Sequence, residues 1–252
     1  MFHPRFQACA ALSTSVARDA LGPGGSVLDV GCAGGGASVP LVPPAGSITG
    51  VDANPAMVDL FARICRERSI TGRPVAGRWP DIAGQVKPHD IAVSHHVAYN
   101  VGDIEDFLLS LNARARRRVV LEVTAIHPQA TLNHLWQHLH GIARPQTPTA
   151  EDLVAVLREL GLAPHIEPTR RPAPPTPQPR DLLVSFTRQR LCLGAWEIPI
   201  DKKLSMSRPC ATLAGDSLRS RGDSRFAGTT QYRWLSRIRP KGTQRPRLQR
   251  RP

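Results

Sequence analysis

In the run VLDVGCAGGG at residues 27–36, a short apolar strand gives way to glycines within one residue, and few folds can use such a segment. Val27, Leu28 and Val30 have the apolar character of a buried strand, and Asp29 interrupts them just before Gly31, Gly34, Gly35 and Gly36. Glycines at a strand end let backbone approach a ligand with no Cβ in the way. The next apolar run, Ile48 to Val51 in ITGVDANP, also stops at an acid, Asp52. A carboxylate at the tip of a second strand can accept two hydrogen bonds from ribose hydroxyls. Two strands, a glycine turn and this acid predict a nucleoside-binding half-fold.

The spacing disfavours the commonest nucleotide sites, an NAD-dependent enzyme on a similar fold among them. A dinucleotide fingerprint needs G-x-G-x-x-G opening a helix whose N-terminus receives the pyrophosphate. Here Ala33 stands at the second glycine, and Gly34 to Gly36 do not restore the pattern. Pro40, Pro43 and Pro44 also crowd the helix that should follow. The phosphate-loop pattern G-x-x-x-x-G-K-S/T is absent.

The rest of the body alternates strands and helices. Strands are expected at 26–30, 47–51, near 74–77, 89–94 and 118–124, with a short one at 165–167. Helices are expected over about 5–21, 54–68 with Asn54 as cap and Gly72 as closure, 103–113 capped by Asp103, 129–139, 149–160 and 182–193. Thr149 to Asp152 is a capping-box pattern, and Gly161 ends that helix. Such alternation implies an α/β, Rossmann-like, doubly wound and mainly parallel sheet with helices on both faces. Right-handed crossovers then gather every strand's C-terminal end on one edge.

That edge receives the fourth strand's tip, His95-His96-Val97-Ala98-Tyr99-Asn100. Two histidines and a tyrosine beside the glycine loop are candidates to contact substrate, and histidine suits proton transfer near neutral pH. His134 and His138 share one helical face, but Leu135 occupies the place where a zinc-protease motif needs Glu, so no metal site is expected. The same helix is expected to close the substrate pocket with Trp136 packed inward.

The segment from the apolar strand through Asp29, Gly31 and the following glycines resembles motif I of the class I S-adenosylmethionine-dependent methyltransferases, D/E-x-G-x-G-x-G, with Ala33 at the second glycine. The segments WPDIA, SHHVAYNV, RRRVVLEVT with His127-Pro128, LNHLWQHLHG, PTAEDLVAVLRELG and RQRLCL resemble an uncharacterised bacterial subgroup of that family. The resemblance implies a methyl-transfer activity with S-adenosyl-L-methionine as cofactor. By position it places Gly31, Cys32, Ala33 and Gly34 along the methionine moiety, Asp29 as the residue ordering that loop, Asp52 on the ribose and Ala53 against the adenine. The loop after the third strand lies near the adenine in that fold, so Trp79 could flank the ring and Asp81 could accept from its exocyclic amine. His96, His95 and Tyr99 fall where the family orients or deprotonates the nucleophile, and His95 is placed to touch the cofactor as well. The acceptor is expected to be a small molecule.

Charge divides the chain. Residues 201–252 carry 14 Lys and Arg against 3 Asp and Glu, so +11 of the net +13 lies there. The expected organisation is a methyltransferase domain over 1–194, with a proline-rich linker at 171–180, and a basic, disordered tail over 195–252. The tail's abrupt loss of pattern is what a GC-rich gene read out of frame would give. Within it, QYRWLSRI at 231–238 is the one short candidate for the family's late antiparallel strand. Arg-rich tails bind phosphates without sequence preference, so the alternative function is a nucleic-acid-binding protein or nucleic-acid methyltransferase. Five scattered cysteines without a C-x-x-C pair fit a reducing, cytoplasmic setting. No apolar run approaches the roughly 20 residues that span a membrane, and no secretory signal is expected.

Overall fold

A computed structural model of the chain describes residues 12–167, 169–170, 179–193 and 230–237. In chain order the elements are α1 (Leu12–Asp19), β1 (Ser26–Val30), β2 (Ser47–Asp52), α2 (Pro55–Glu67), β3 (Gly72–Ala76), β4 (His89–His95), α3 (Ile104–Ala113), β5 (Ala115–Thr124), α4 (Asn133–His140), α5 (Ala150–Glu159), β6 (His165–Ile166), β7 (Thr169–Arg170), α6 (Arg180–Arg190) and β8 (Thr230–Arg237). The sheet order is β3-β2-β1-β4-β5-β8-β6, with β7 also on β8. The first five strands are parallel, and β8 runs antiparallel to β5. The order reverses direction between β1 and β4, which makes a crevice at their C-terminal ends.

The inner strands β1, β2 and β4 and the C-terminal part of β5 are buried on both faces because both are covered. Val27, Ile48, Ile91 and Val120 pack with Phe61 of α2 and Ala17 of α1 on one side. Leu28, Ala92, Val119 and Leu121 pack with Phe107, Leu108 and Leu111 of α3 and Leu157 of α5 on the other. Adjacent residues thus enter opposite cores, as the period-2 geometry of a strand requires.

Local chemistry sets the helix starts. The Asn54 side chain accepts from the Ala56 amide, with Pro55 at the first helical position. Asp103 caps α3, and Thr149 and Asp152 form a reciprocal capping box on α5. Gly72 does not close α2 as expected. That helix ends at Glu67, the backbone turns at Ser69 with φ +53°, and Gly72 opens β3 instead. There a Cβ would meet Cys65 Sγ at 2.4 Å, so glycine is required by packing.

The candidate late strand pairs with β5 through Thr230 to Arg237, from Thr124↔Gln231 to Arg118↔Arg237. The remainder of the expected disordered tail, residues 195–229 and 238–252, lies outside the described residues, as do most of the proline-rich linker and the N-terminal part of the first helix. No described helix is long and apolar enough to cross a membrane.

Candidate functional site

The crevice has two halves, one at the tips of β1 and β2 and one at the tips of β4 and β5. In the first half, the chain leaves β1 at Gly31 with φ +74°, and the amides of Gly31 and Cys32 both donate to the Val51 carbonyl at 2.8 and 3.0 Å. The loop is therefore stitched to β2. Asp29 is 1% exposed beneath it and accepts the Ser38 hydroxyl at 2.6 Å. Burial pushes the Asp29 pKa up to about 7, against the lowering effect of Ser38 and with the help of the nearby Asp52 charge. Ser38 and Asp29 together hold the two ends of the glycine segment.

Asp52 sits half-exposed at the end of β2. Its Oδ2 accepts the Ala33 amide at 3.0 Å and its Oδ1 accepts the Asn54 amide at 2.9 Å. A carboxylate has about four lone-pair sites, so each oxygen keeps one spare acceptor. Ala33 takes φ +43° and is exposed, Ala53 is exposed beside Asp52, and a Cβ on Gly36 would meet nothing within 4 Å. Cys32 contributes backbone rather than thiol: its side chain is buried, and burial with the charges of Asp29 and Asp52 raises its pKa. Gly34 lies against Leu60 and Ile64 of α2, which brings the loop close to that helix. The donor and acceptor set fits an adenosyl ligand: bare peptide along one side and a carboxylate with two spare acceptors at the end.

In the second half, His95 ends β4, level with Glu122 of β5. His96 follows with φ +60°, and its amide donates to the Glu122 carbonyl at 2.7 Å. The His96 Nε2 is 3.3 Å from Glu122 Oε1, and its Nδ1 is 2.9 Å from the Tyr99 hydroxyl. That hydroxyl accepts the Thr124 amide at 2.7 Å and lies 3.0 Å from Thr124 Oγ1. Glu122 is buried in β5 and also accepts the Ser13 hydroxyl. Burial raises its pKa, but the His96 hydrogen bond, the neighbouring His95 and Ser13 outweigh burial and hold it at about 2. Glu122 and Thr124 were not singled out in the sequence, although a lone acid inside the apolar run VVLEVT is itself a signal. The halves touch where Val97 covers Gly31; a Cβ there would lie 2.2 Å from Val97 Cγ2.

One expected site residue lies elsewhere. Trp79 is 6% exposed, packs in the core with α3, and donates its indole N–H to the Phe107 carbonyl at 3.3 Å. Its ring is enclosed by core residues rather than open to flank an adenine. Asp81 is exposed in the loop between β3 and β4. Trp136 is half-buried on α4. Arg144 lies over its ring at 3.3 Å and His140 packs against it at 4.0 Å, while His140 Nε2 lies 2.8 Å from the Leu191 carbonyl after α6. His134 and His138 are exposed on α4.

Comparison with known proteins agrees with this fold. A family model described as a methyltransferase domain matches residues 1–165. Among solved structures, the chain resembles magnesium protoporphyrin IX methyltransferase from Synechocystis PCC 6803 with bound S-adenosylhomocysteine, at 19% identity, 67% of this chain, 77% of that chain and TM-score 0.52. It also resembles a candidate sarcosine dimethylglycine methyltransferase from Galdieria sulphuraria, at 15% identity, 90% of this chain, 83% of that chain and TM-score 0.56. The YcgJ protein of Bacillus subtilis matches at 15% identity, 90% of this chain, 98% of that chain and TM-score 0.53. No curated protein matches the chain.

Proposed function

The chain belongs to the methyltransferase domain family and is S-adenosylmethionine-dependent; from that premise we propose that it methylates a small-molecule acceptor held over the tips of β4 and β5. The observation that carries the reading is Asp52: its Oδ2 holds the glycine loop through the Ala33 amide, its Oδ1 holds the start of α2 through the Asn54 amide, and each oxygen keeps a second lone pair to accept with. Those two acceptors suit the vicinal hydroxyls of a ribose. The peptide edges of Gly31, Cys32, Ala33 and Gly34 would hold the methionyl part, and Asp29 would fix that loop through Ser38. Ala53 and Asp81 would face the adenine.

When bound, S-adenosylmethionine supplies a methyl carbon activated by a sulfonium leaving group. The protein's task is then alignment and, for a hydroxyl or protonated amine acceptor, removal of a proton. His96, with His95 and Tyr99 beside it, would orient the acceptor and receive that proton. Relatives named for a porphyrin and for a methylated amino acid support a small molecule as acceptor.

Thermal unfolding tests the reading. S-adenosylhomocysteine at a hundredfold excess over its Kd should stabilise the protein by about 2.7 kcal/mol, and NAD should leave the midpoint unchanged. Stabilisation by NAD alone would overturn it.

A further inference from the structure

The second half of the crevice contains more hydrogen bonding than a single base requires. Glu122 is 5% exposed inside β5, and its carboxylate faces His96 Nε2 at 3.3 Å. The other ring nitrogen faces Tyr99 Oη at 2.9 Å. Thr124 completes the chain: its amide donates to Tyr99 Oη, and its hydroxyl donates to the Ile126 carbonyl. His96 is fixed here in a left-handed backbone conformation that non-glycine residues seldom adopt.

Placing hydrogens along this chain gives two complete arrangements. An ionised carboxylate only accepts, so His96 Nε2 carries a proton in both. With a neutral ring, Nδ1 accepts from Tyr99 O–H. With an imidazolium, Nδ1–H donates to Tyr99 Oη, and the tyrosine O–H turns to Thr124 Oγ1, which still donates to Ile126. In both, Tyr99 Oη accepts the Thr124 amide. No donor is stranded in either state, which is the condition for a buried network to pass a proton at little cost.

Resting on the acceptor site given above, we propose that Tyr99, His96 and Glu122 form a proton relay whose outer end serves a hydroxyl or amine carried on an apolar group. Tyr99 is the catalytic residue that touches the acceptor. Glu122 is a positioning residue that fixes the imidazole and balances its charge. The apolar preference follows from Tyr99's other surroundings. With Val101, Ile104, Val123, Leu153 and Val156, and with Thr149 and Asp152, which bond to each other in the α5 capping box, it lines a small cleft of about 110 Å³. The step balances. A lone pair of the acceptor heteroatom forms the new bond to the methyl carbon, and sulfur keeps the pair of the bond that breaks. The acceptor's proton moves to Tyr99 Oη as the tyrosine proton moves to His96 Nδ1, and the partly exposed imidazole returns it to water.

The test uses the full chain labelled with ¹⁵N at histidine, the His96 ring being identified by its loss in His96→Asn. At alkaline pH the expected state is a proton on Nε2. Tyr99→Phe should move the Nδ1 resonance and leave the Nε2 proton in place, and Glu122→Gln should speed exchange of the Nε2 proton at least tenfold. A proton on Nδ1, or an Nδ1 resonance indifferent to Tyr99→Phe, overturns the relay. Methyl transfer to 4-ethylphenol and 2-phenylethylamine from labelled cofactor is the second readout. At least one should be turned over, with kcat falling at least tenfold in both variants and KM holding within threefold. Turnover of neither probe by the parent, or unchanged kcat in both variants, overturns the proposal. S-adenosylhomocysteine affinity should stay within threefold in Tyr99→Phe and Glu122→Gln; its absence in the parent would sink the cofactor reading itself rather than the relay.

Discussion

Two buried carboxylates frame the crevice, and their environments push them in opposite directions. Asp29 has a folded pKa near 7 because burial dominates, whereas Glu122 is held near 2 because its partners overcome burial. Linkage gives each a distinct pH signature. For Asp29 the native state holds the proton more tightly than the unfolded chain. The stability difference between the parent and Asp29→Asn should therefore fall as pH rises from about 4 to about 7, then level off. For Glu122 the unfolded chain binds the proton more tightly. The difference between the parent and Glu122→Gln should grow from pH 2 to about 4.5, by on the order of 3 kcal/mol, and stay constant above. Urea unfolding across pH checks both, and a reversed slope in either would refute the assigned environment. Asp52 and the first glycine loop were legible because strand, turn and acid are local in sequence. Glu122 was not, since its meaning depends on Ser13 and His96, which lie far from it along the chain.

Elements convert these residues into a site through packing that sequence shows only in part. The glycine loop reads as a ligand-approach device, yet two of its four glycines are demanded by neighbours and a left-handed backbone, Val97 over Gly31 and Val39 and Phe61 beside Gly35, while Gly34 sits close to the side-chain ends of Leu60 and Ile64. Gly31→Val should thus fail for a reason other than collision with ligand. It forces a branched side chain into φ +74° and against Val97, at a cost of about 2 kcal/mol or more. Gly36→Ala, with open space around it, should shift stability by less than about 0.5 kcal/mol. Equilibrium unfolding of the two variants distinguishes the accounts, and similar losses in both would contradict the packing argument. Thr149→Ala removes half of the α5 capping box and should cost about 1 kcal/mol in the same assay. Trp79 shows the limit of reading elements from pattern: a tryptophan just after a strand can face ligand or core, and only the placement of α3, through Phe107, decides it.

At the scale of the molecule, β1, β2, β4 and the second half of β5 were legible because each is a short apolar run, whereas β3, GRPVA at the exposed edge, carries a weaker signal. The eighth strand was visible only as a weak candidate, since TQYRWLSR sits in a basic segment without flanking periodicity. Its role is set by pairing: it covers the edge of β5 that carries Glu122 and Thr124. Ending the chain before Thr230 should leave that edge open and promote self-association, which light scattering would detect; a monodisperse truncated protein would argue against the pairing. The site as a whole required the sheet order, because β1 and β4 are distant in sequence and become neighbours only through the crossover.

On the function proposed above, Asp52 and the peptide loop it holds through Ala33 bind an adenosyl cofactor. Calorimetric titration of S-adenosylhomocysteine into the parent and into Asp52→Ala tests it most directly. Saturable binding to the parent and at least tenfold weaker binding to the variant are expected, because removing the carboxylate leaves two ribose hydroxyls without an acceptor. Equal affinity in the two proteins would contradict it.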